Sequence, residues 1–162
     1  MTSIEVTSLN HINYNTDLDS VSAELNMLPQ YGISECPWPE YAYKPVVSFM
    51  IAHGEDSLLL KFVVTEKEIR AVNTTTHSPV WEDSCVEMFI RFRDDGGYYN
   101  FEINPLGVML AAYGPERENR VFLPLNLVRS IRRTSTIYRE NETNDIEWET
   151  LLIIPLKTFM YD

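Results

Sequence analysis

Residues 86–104 read VEMFIRFRDDGGYYNFEIN, two runs of alternating character around a cluster of Asp and Gly. Asp and Gly are the residues of tight turns and positive φ, so the runs 86–91 and 98–104 are expected to pair as an antiparallel hairpin. Successive side chains of a strand point to opposite faces. Val86, Met88 and Ile90 therefore share one face, and Glu87, Phe89 and Arg91 the other. The second run splits into Tyr99, Phe101 and Ile103 against Asn100, Glu102 and Asn104. A loop with an even number of residues puts Met88 opposite Ile103 and Ile90 opposite Phe101, and only even spacing keeps the apolar sets together.

The same texture continues outward. Runs rich in β-branched and aromatic residues occupy 46–52, 57–65, 107–113 and 146–155, separated by turn formers such as HGED and NETND. Nothing long and helically periodic lies between them, which argues against parallel crossovers and for an all-β antiparallel sandwich. The first 40 residues read as a lead-in to a sandwich at 41–162. Asp19 and Ser20 are expected to cap a short helix over 20–28, after which Pro29, Gly32, Pro37 and Pro39 exclude long regular structure. Residues 1–18 and 74–81 are expected to be irregular.

At 162 residues the chain fits a single domain with one core. Its apolar fraction of 44% and charged fraction of 23% are ordinary, whereas the 12% aromatic content is rich. A net charge of −11 repels a phosphate backbone, and the basic cluster at 129–133 is short, so nucleic acid is excluded as a partner. No apolar run approaches the ~20 residues of a membrane span, and the N-terminal stretch has neither the basic nor the apolar region of a signal peptide. The chain is expected to be soluble, with the periplasm or the cell exterior ahead of the cytoplasm. A signal peptide already removed would leave no trace.

Trp81 stands on the loop that enters the hairpin, with Glu82 and Asp83 beside it and Glu87 on the first strand. Together with Arg91, Asn100, Glu102 and Asn104 on the polar face, this reads as the floor of a binding site. The competing reading is a solvated face with an Arg91–Glu102 ion pair, worth at most about 1 kcal/mol.

The run VWEDSCVEMFI at 80–90, followed by YYNFEINPLG at 98–107, resembles the core signature of family 9 carbohydrate-binding modules and their DOMON-related relatives. ECPWPEY, YKPVVSFMIAH and LLLKFVVTEKEIRA are similar to the upstream strands of a bacterial branch, and the resemblance covers roughly 30 to 120. It implies an immunoglobulin-like β-sandwich, usually attached to or encoded near polysaccharide-degrading enzymes, that holds a sugar chain without cleaving it. Trp81 matches the Trp forming one wall of the sugar clamp, and Glu87 the carboxylate that accepts from sugar hydroxyls. That chemistry is sound: the apolar face of a pyranose packs on an indole, and vicinal hydroxyls donate to a carboxylate. This chain departs from the pattern at Glu102, where the better known sugar binders carry an Arg, and it has no counterpart of the second clamp Trp, with which Trp148 is not equated. Either the chain is truncated or the site is half a clamp. A sandwich short of strands would expose an edge that invites a homodimer.

Calcium is a candidate at the acidic loops Glu55-Asp56 and Asp94-Asp95, with solvated turn carboxylates as the alternative. His11, His53 and His77 are far apart and neither cysteine sits in a CxxC pair, so no zinc site is expected. Met50, Met88 and Met109 read as core rather than haem ligands. Glu87 and Glu102 have the residue types for glycoside hydrolysis, but no insertion provides a deep cleft. Cys85 lacks a base, and nearby carboxylates should raise its pKa. Cys36 and Cys85 are read as thiols rather than a disulfide. The expected function is non-catalytic binding of a mono- or oligosaccharide by Trp81 and Glu87, with Arg91, Asn100 and Glu102 as further contacts, no required cofactor, and a glycoside hydrolase as companion. A DOMON-like haem module and a protein-interaction sandwich are the alternatives.

Overall fold

The computed structural model describes residues 3–37, 40, 43–94, 96–139 and 142–161. Asp95 of one expected calcium loop, Pro39 of the lead-in, Asn141 of the NETND turn and the outer bounds at 1, 41 and 162 lie outside these residues. In chain order the elements are β1 (Thr7–Ser8), α1 (Leu18–Asn26), β2 (Tyr31–Ile33), β3 (Val46–His53), β4 (Ser57–Glu66), β5 (Val86–Ile90), β6 (Tyr98–Ile103), β7 (Met109–Gly114), β8 (Val121–Phe122), α2 (Leu125–Ser130), β9 (Arg132–Arg139) and β10 (Ile146–Pro155). Among the described residues they form a six-stranded sheet, ordered β1-β3-β4-β10-β9 with β2 also on β3, and a four-stranded sheet β5-β6-β7-β8. This is the all-β sandwich expected, antiparallel except where β1 joins β3 in parallel.

Alternation along the strands builds the core. Leu58, Leu60, Phe62 and Val64 of β4, with Trp148, Leu152 and Ile154 of β10, face Tyr99, Phe101 and Ile103 of β6 between the sheets. Each large side chain buried in this way contributes about 1.5–3 kcal/mol. The other face of β4 and β10 is covered as well. Leu59, Leu151 and Ile153 pack against Val21 and Leu25 of α1 and against Leu9 and Ile12 before it. Burial on both faces explains why these two strands read as nearly continuous apolar runs. Beneath the helix, buried Lys61 pairs with Glu149 at 2.8 Å and donates to Asn26 Oδ1 at 3.0 Å.

The lead-in residues therefore supply a third layer and two edge strands. Asp17, rather than Asp19 or Ser20, caps α1, because its carboxylate accepts from the amides of Asp19 and Ser20 at the second and third helical positions. The loop before Trp81 is also ordered by backbone bonding: His77 N donates to Met109 O, and Val80–Glu82 form a 3₁₀ turn. Two strands differ from expectation. Residues 132–139, of which only Arg132 and Arg133 entered the sequence reading, as the end of a basic cluster, form β9, which pairs along its whole length with β10. The run at 107–113 starts late, because Gly107 (φ +71°) closes a turn onto Asn104, whose side-chain oxygen accepts from the amides of Leu106 and Val108.

The hairpin has the expected parity with a register two residues away. Met88 faces Phe101 and Ile90 faces Tyr99, while Glu87 is directly opposite Glu102. β5 ends at Ile90, and Phe92 leaves the strand line to pack edge-on against Tyr99 and Phe159. Cys36 and Cys85 are not joined in a disulfide.

Candidate functional site

Three carboxylates cluster in the sequence around Trp81, and the fold gives them different roles. Buried Val80 pins the 3₁₀ turn to the core, which turns Trp81 outward with half its surface exposed. Two residues later the chain reverses and Asp83 points inward. Its carboxylate accepts from the amides of Val72 (3.1 Å) and Asn73 (3.0 Å) and from Asn104 Nδ2 (2.9 Å). Burial works to raise its pKa, but the bonds from Asn104, Val72 and Asn73 prevail and hold it below the usual Asp range. Asp83 thus ties the loop before β5 to the turn after β6. Glu82 remains on the surface.

Glu87 belongs to a different environment, the outer face of the small sheet. Strand register sets its neighbours: Glu87, Glu102 and Leu110 form one cross-strand row, and Phe89, Asn100, Ala112 and Phe122 the next. With Trp81 at one side, Tyr98 at the end of β6, and Arg117 and Arg120 from the loop between β7 and β8, these rows line a cleft of about 520 Å³. The indole and the rings of Phe89, Tyr98 and Phe122 provide apolar walls. His77, in the left-handed region (φ +67°), stacks on Phe122 at 4.5 Å and backs that wall, and its partial burial lowers the imidazole pKa.

The cleft holds polar groups that the protein leaves unsatisfied. Asn100 is fully buried and donates from Nδ2 to Glu102 Oε1 at 2.6 Å, while Glu102 Oε2 is buried without a partner. Arg120 Nη1 is also buried and unpaired, although its Nε bonds Arg117 O and its guanidinium stands 5.6 Å from the Tyr98 ring centre. Glu87, although exposed to solvent on the open side of the cleft, has its pKa raised, first by partial desolvation among the surrounding side chains and then by Glu102 across the strand pair, against the pull of Arg120 and Arg117. The same surroundings act on Cys85. Burial foremost, then Glu87 and Glu102, push its thiol far above the ordinary range, opposite to the shift that activates a nucleophilic thiol.

Of the residues singled out from sequence, Trp81, Glu87 and Glu102 meet in the cleft, with Asn100 holding Glu102 from beneath. Arg91 does not line it. It lies past the end of β5, stacks on Tyr98 at 5.8 Å, and forms no ion pair with Glu102. Asn104 is committed to the Asp83 anchor. The sequence reading missed Tyr98, Arg117, Arg120 and Phe122. The two arginines sit in a loop whose approach to Glu87 only the β7–β8 pairing reveals.

Two other locations are built differently. A shallow depression of about 440 Å³ beside Gly107 contains Arg133, but that guanidinium donates to the carbonyls of Gly107, Val128 and Ile131 and holds the turn together. At the 55–56 loop, Asp56 Oδ1 accepts from Tyr14 N and Ser57 Oγ, a structural use of the carboxylate. No group of three or more His, Cys, Asp or Glu with metal-site geometry occurs among the described residues.

A two-sheet sandwich with an aromatic-walled cleft and unpartnered hydrogen-bonding groups on one outer face defines a ligand-binding module. The sequence pattern of carbohydrate-binding family 9 matches residues 17–162, and the chain belongs to that family. It is similar to a crystal structure from Bacteroides uniformis ATCC 8492, a protein provisionally described as carbohydrate-binding, with 30% identity and a TM-score of 0.85 over 97% of this chain and 74% of that one. No curated protein sequence matches it. No helix among the described residues is long and apolar enough to cross a membrane.

Proposed function

We propose that the cleft on the small sheet binds a mono- or oligosaccharide without cleaving it, in the service of polysaccharide degradation by a companion glycoside hydrolase outside the cytoplasm. The observation that carries this reading is the half-exposed Trp81 beside buried, unpartnered Glu102 Oε2 and Arg120 Nη1. The apolar face of the sugar stacks on the indole, and its hydroxyls donate to Glu87 and Glu102. Arg117 and Arg120 supply, from a neighbouring loop, the donor that the family pattern places where this chain has Glu102. Family membership and the Bacteroides uniformis structure support the ligand class. Hydrolysis fits poorly, because Glu87 and Glu102 stand side by side on one sheet face, whereas glycosidase carboxylates flank the scissile bond from two sides.

Titration of intrinsic Trp fluorescence with a panel of mono- and oligosaccharides tests this. A saturable change that disappears in Trp81→Ala is expected. A folded protein silent to every sugar, or a response unchanged in Trp81→Ala, counts against the site.

A further inference from the structure

Resting on the sugar-binding reading of this cleft, the geometry points to a narrower ligand class: we propose that it takes a sugar bearing a free amine, with the ammonium seated between Glu87 and Glu102. These two carboxylates face each other across the β5–β6 pair, where side-chain roots lie about 4.5–5.5 Å apart and like charges repel. None of the ion pairs among the described residues involves either of them. Glu102 is only 6% exposed, lines the cleft, and has one oxygen on Asn100 and the other on nothing. A buried carboxyl oxygen without a protein partner is costly, and at the wall of a cleft a bound ligand is placed to supply the donor.

The geometry of the pair selects the cation. Calcium and magnesium take six or more oxygen ligands and zinc usually four, and no third carboxylate, His or Cys joins the pair in a metal-binding group among the described residues. An ammonium has three N–H donors and no acceptor, which suits two opposed carboxylates. A hydroxyl in the same place donates one hydrogen, to one carboxylate only, whereas an ammonium donates to both. The aromatic walls favour the same ligand, since a cation beside Trp81 and Phe89 gains from the ring faces. Arg117 and Arg120 then address ring and hydroxyl oxygens rather than the amine.

Isothermal titration at neutral pH with glucosamine, galactosamine and mannosamine, each against its parent hexose and its N-acetyl form, tests the inference. At least one amine should bind about tenfold to a hundredfold more tightly than its neutral counterparts, the range of a charge-assisted hydrogen bond. Glu102→Gln, which keeps the acceptor for Asn100, and Glu87→Gln should each bring the amine-to-hexose affinity ratio close to one, whatever either substitution does to hexose affinity itself. Parent hexoses that bind as tightly as the amines would overturn the amine inference and leave sugar binding standing. Silence towards the amines, the hexoses and a panel of neutral oligosaccharides would overturn both.

Discussion

Asp83 and Glu102 are both buried carboxylates, and the chain treats them in opposite ways. Asp83 collects two backbone amides and an Asn side chain, all from its own protein. Glu102 collects one Asn side chain and keeps a buried oxygen without a partner, at the wall of an open cleft. A satisfied buried charge is a structural anchor, whereas a half-satisfied one at a cleft is an acceptor held for something else. The contrast also explains why carboxylates crowd around Trp81. One anchors the loop that presents the indole, and another joins Glu102 on the floor that the indole overhangs.

The largest effect expected from this contrast is on stability. Asp83→Ala leaves several buried donors unpaired at about 1–3 kcal/mol each, so urea denaturation should show a loss of about 3–5 kcal/mol. Glu102→Gln should change stability by less than about 1 kcal/mol, because Asn100 keeps its acceptor and the like-charge neighbour of Glu87 is removed. A loss at Glu102 as large as that at Asp83 would erase the distinction.

The two regions should also separate with pH. The folded-state pKa of Asp83 lies below its unfolded value, so its contribution is fully present above the unfolded pKa and is lost as pH falls through the folded one. Glu87 has its pKa raised, by burial and by Glu102, so the folded protein takes up this proton before the unfolded chain does. Its ionisation therefore opposes folding as pH rises through the folded-state pKa. Sugar contacts that need the ionised carboxylate weaken as pH falls through that same pKa, above the ordinary Glu range. Affinity measured by calorimetry on acidification should fall while the protein is still fully folded by circular dichroism. Affinity that persists until global acid unfolding would contradict this order.

The smallest stability effect is expected at Trp81. With half its surface in solvent, Trp81→Ala should leave the urea midpoint within the equivalent of about 0.5 kcal/mol, although the fluorescence response to sugar is lost.

Much of the fold was legible in residues 46–113, because a half-buried strand such as β5 writes a two-residue period into the sequence and a strand covered on both faces, such as β4, a continuous apolar run. That parity brought Glu87, Glu102 and the Trp81 loop to one face. Parity alone leaves the register open in steps of two, and the observed pairing has Phe92 beyond the strand end, packed on Tyr99 and Phe159. β9 escaped notice because an exposed edge strand starting with Arg132 and Arg133 has no apolar face to show, and charge on an edge guards against unwanted pairing. Arg117, Arg120 and Phe122 carry no local signal of proximity to Glu87. The Asp83 anchor was equally hidden, since its partners at 72, 73 and 104 come together only in the folded chain.

The most direct measurement follows two side-chain amides by ¹⁵N–¹H NMR during titration with glucosamine. The Asn100 amide reports on Glu102, and the Asn104 amide reports on Asp83. Saturable shifts of the Asn100 amide and the Trp81 indole N–H, with the Asn104 amide unmoved, are the predicted result. Shifts confined to Asn104, or binding that leaves Asn100 and Trp81 untouched, would contradict the assignment of the cleft.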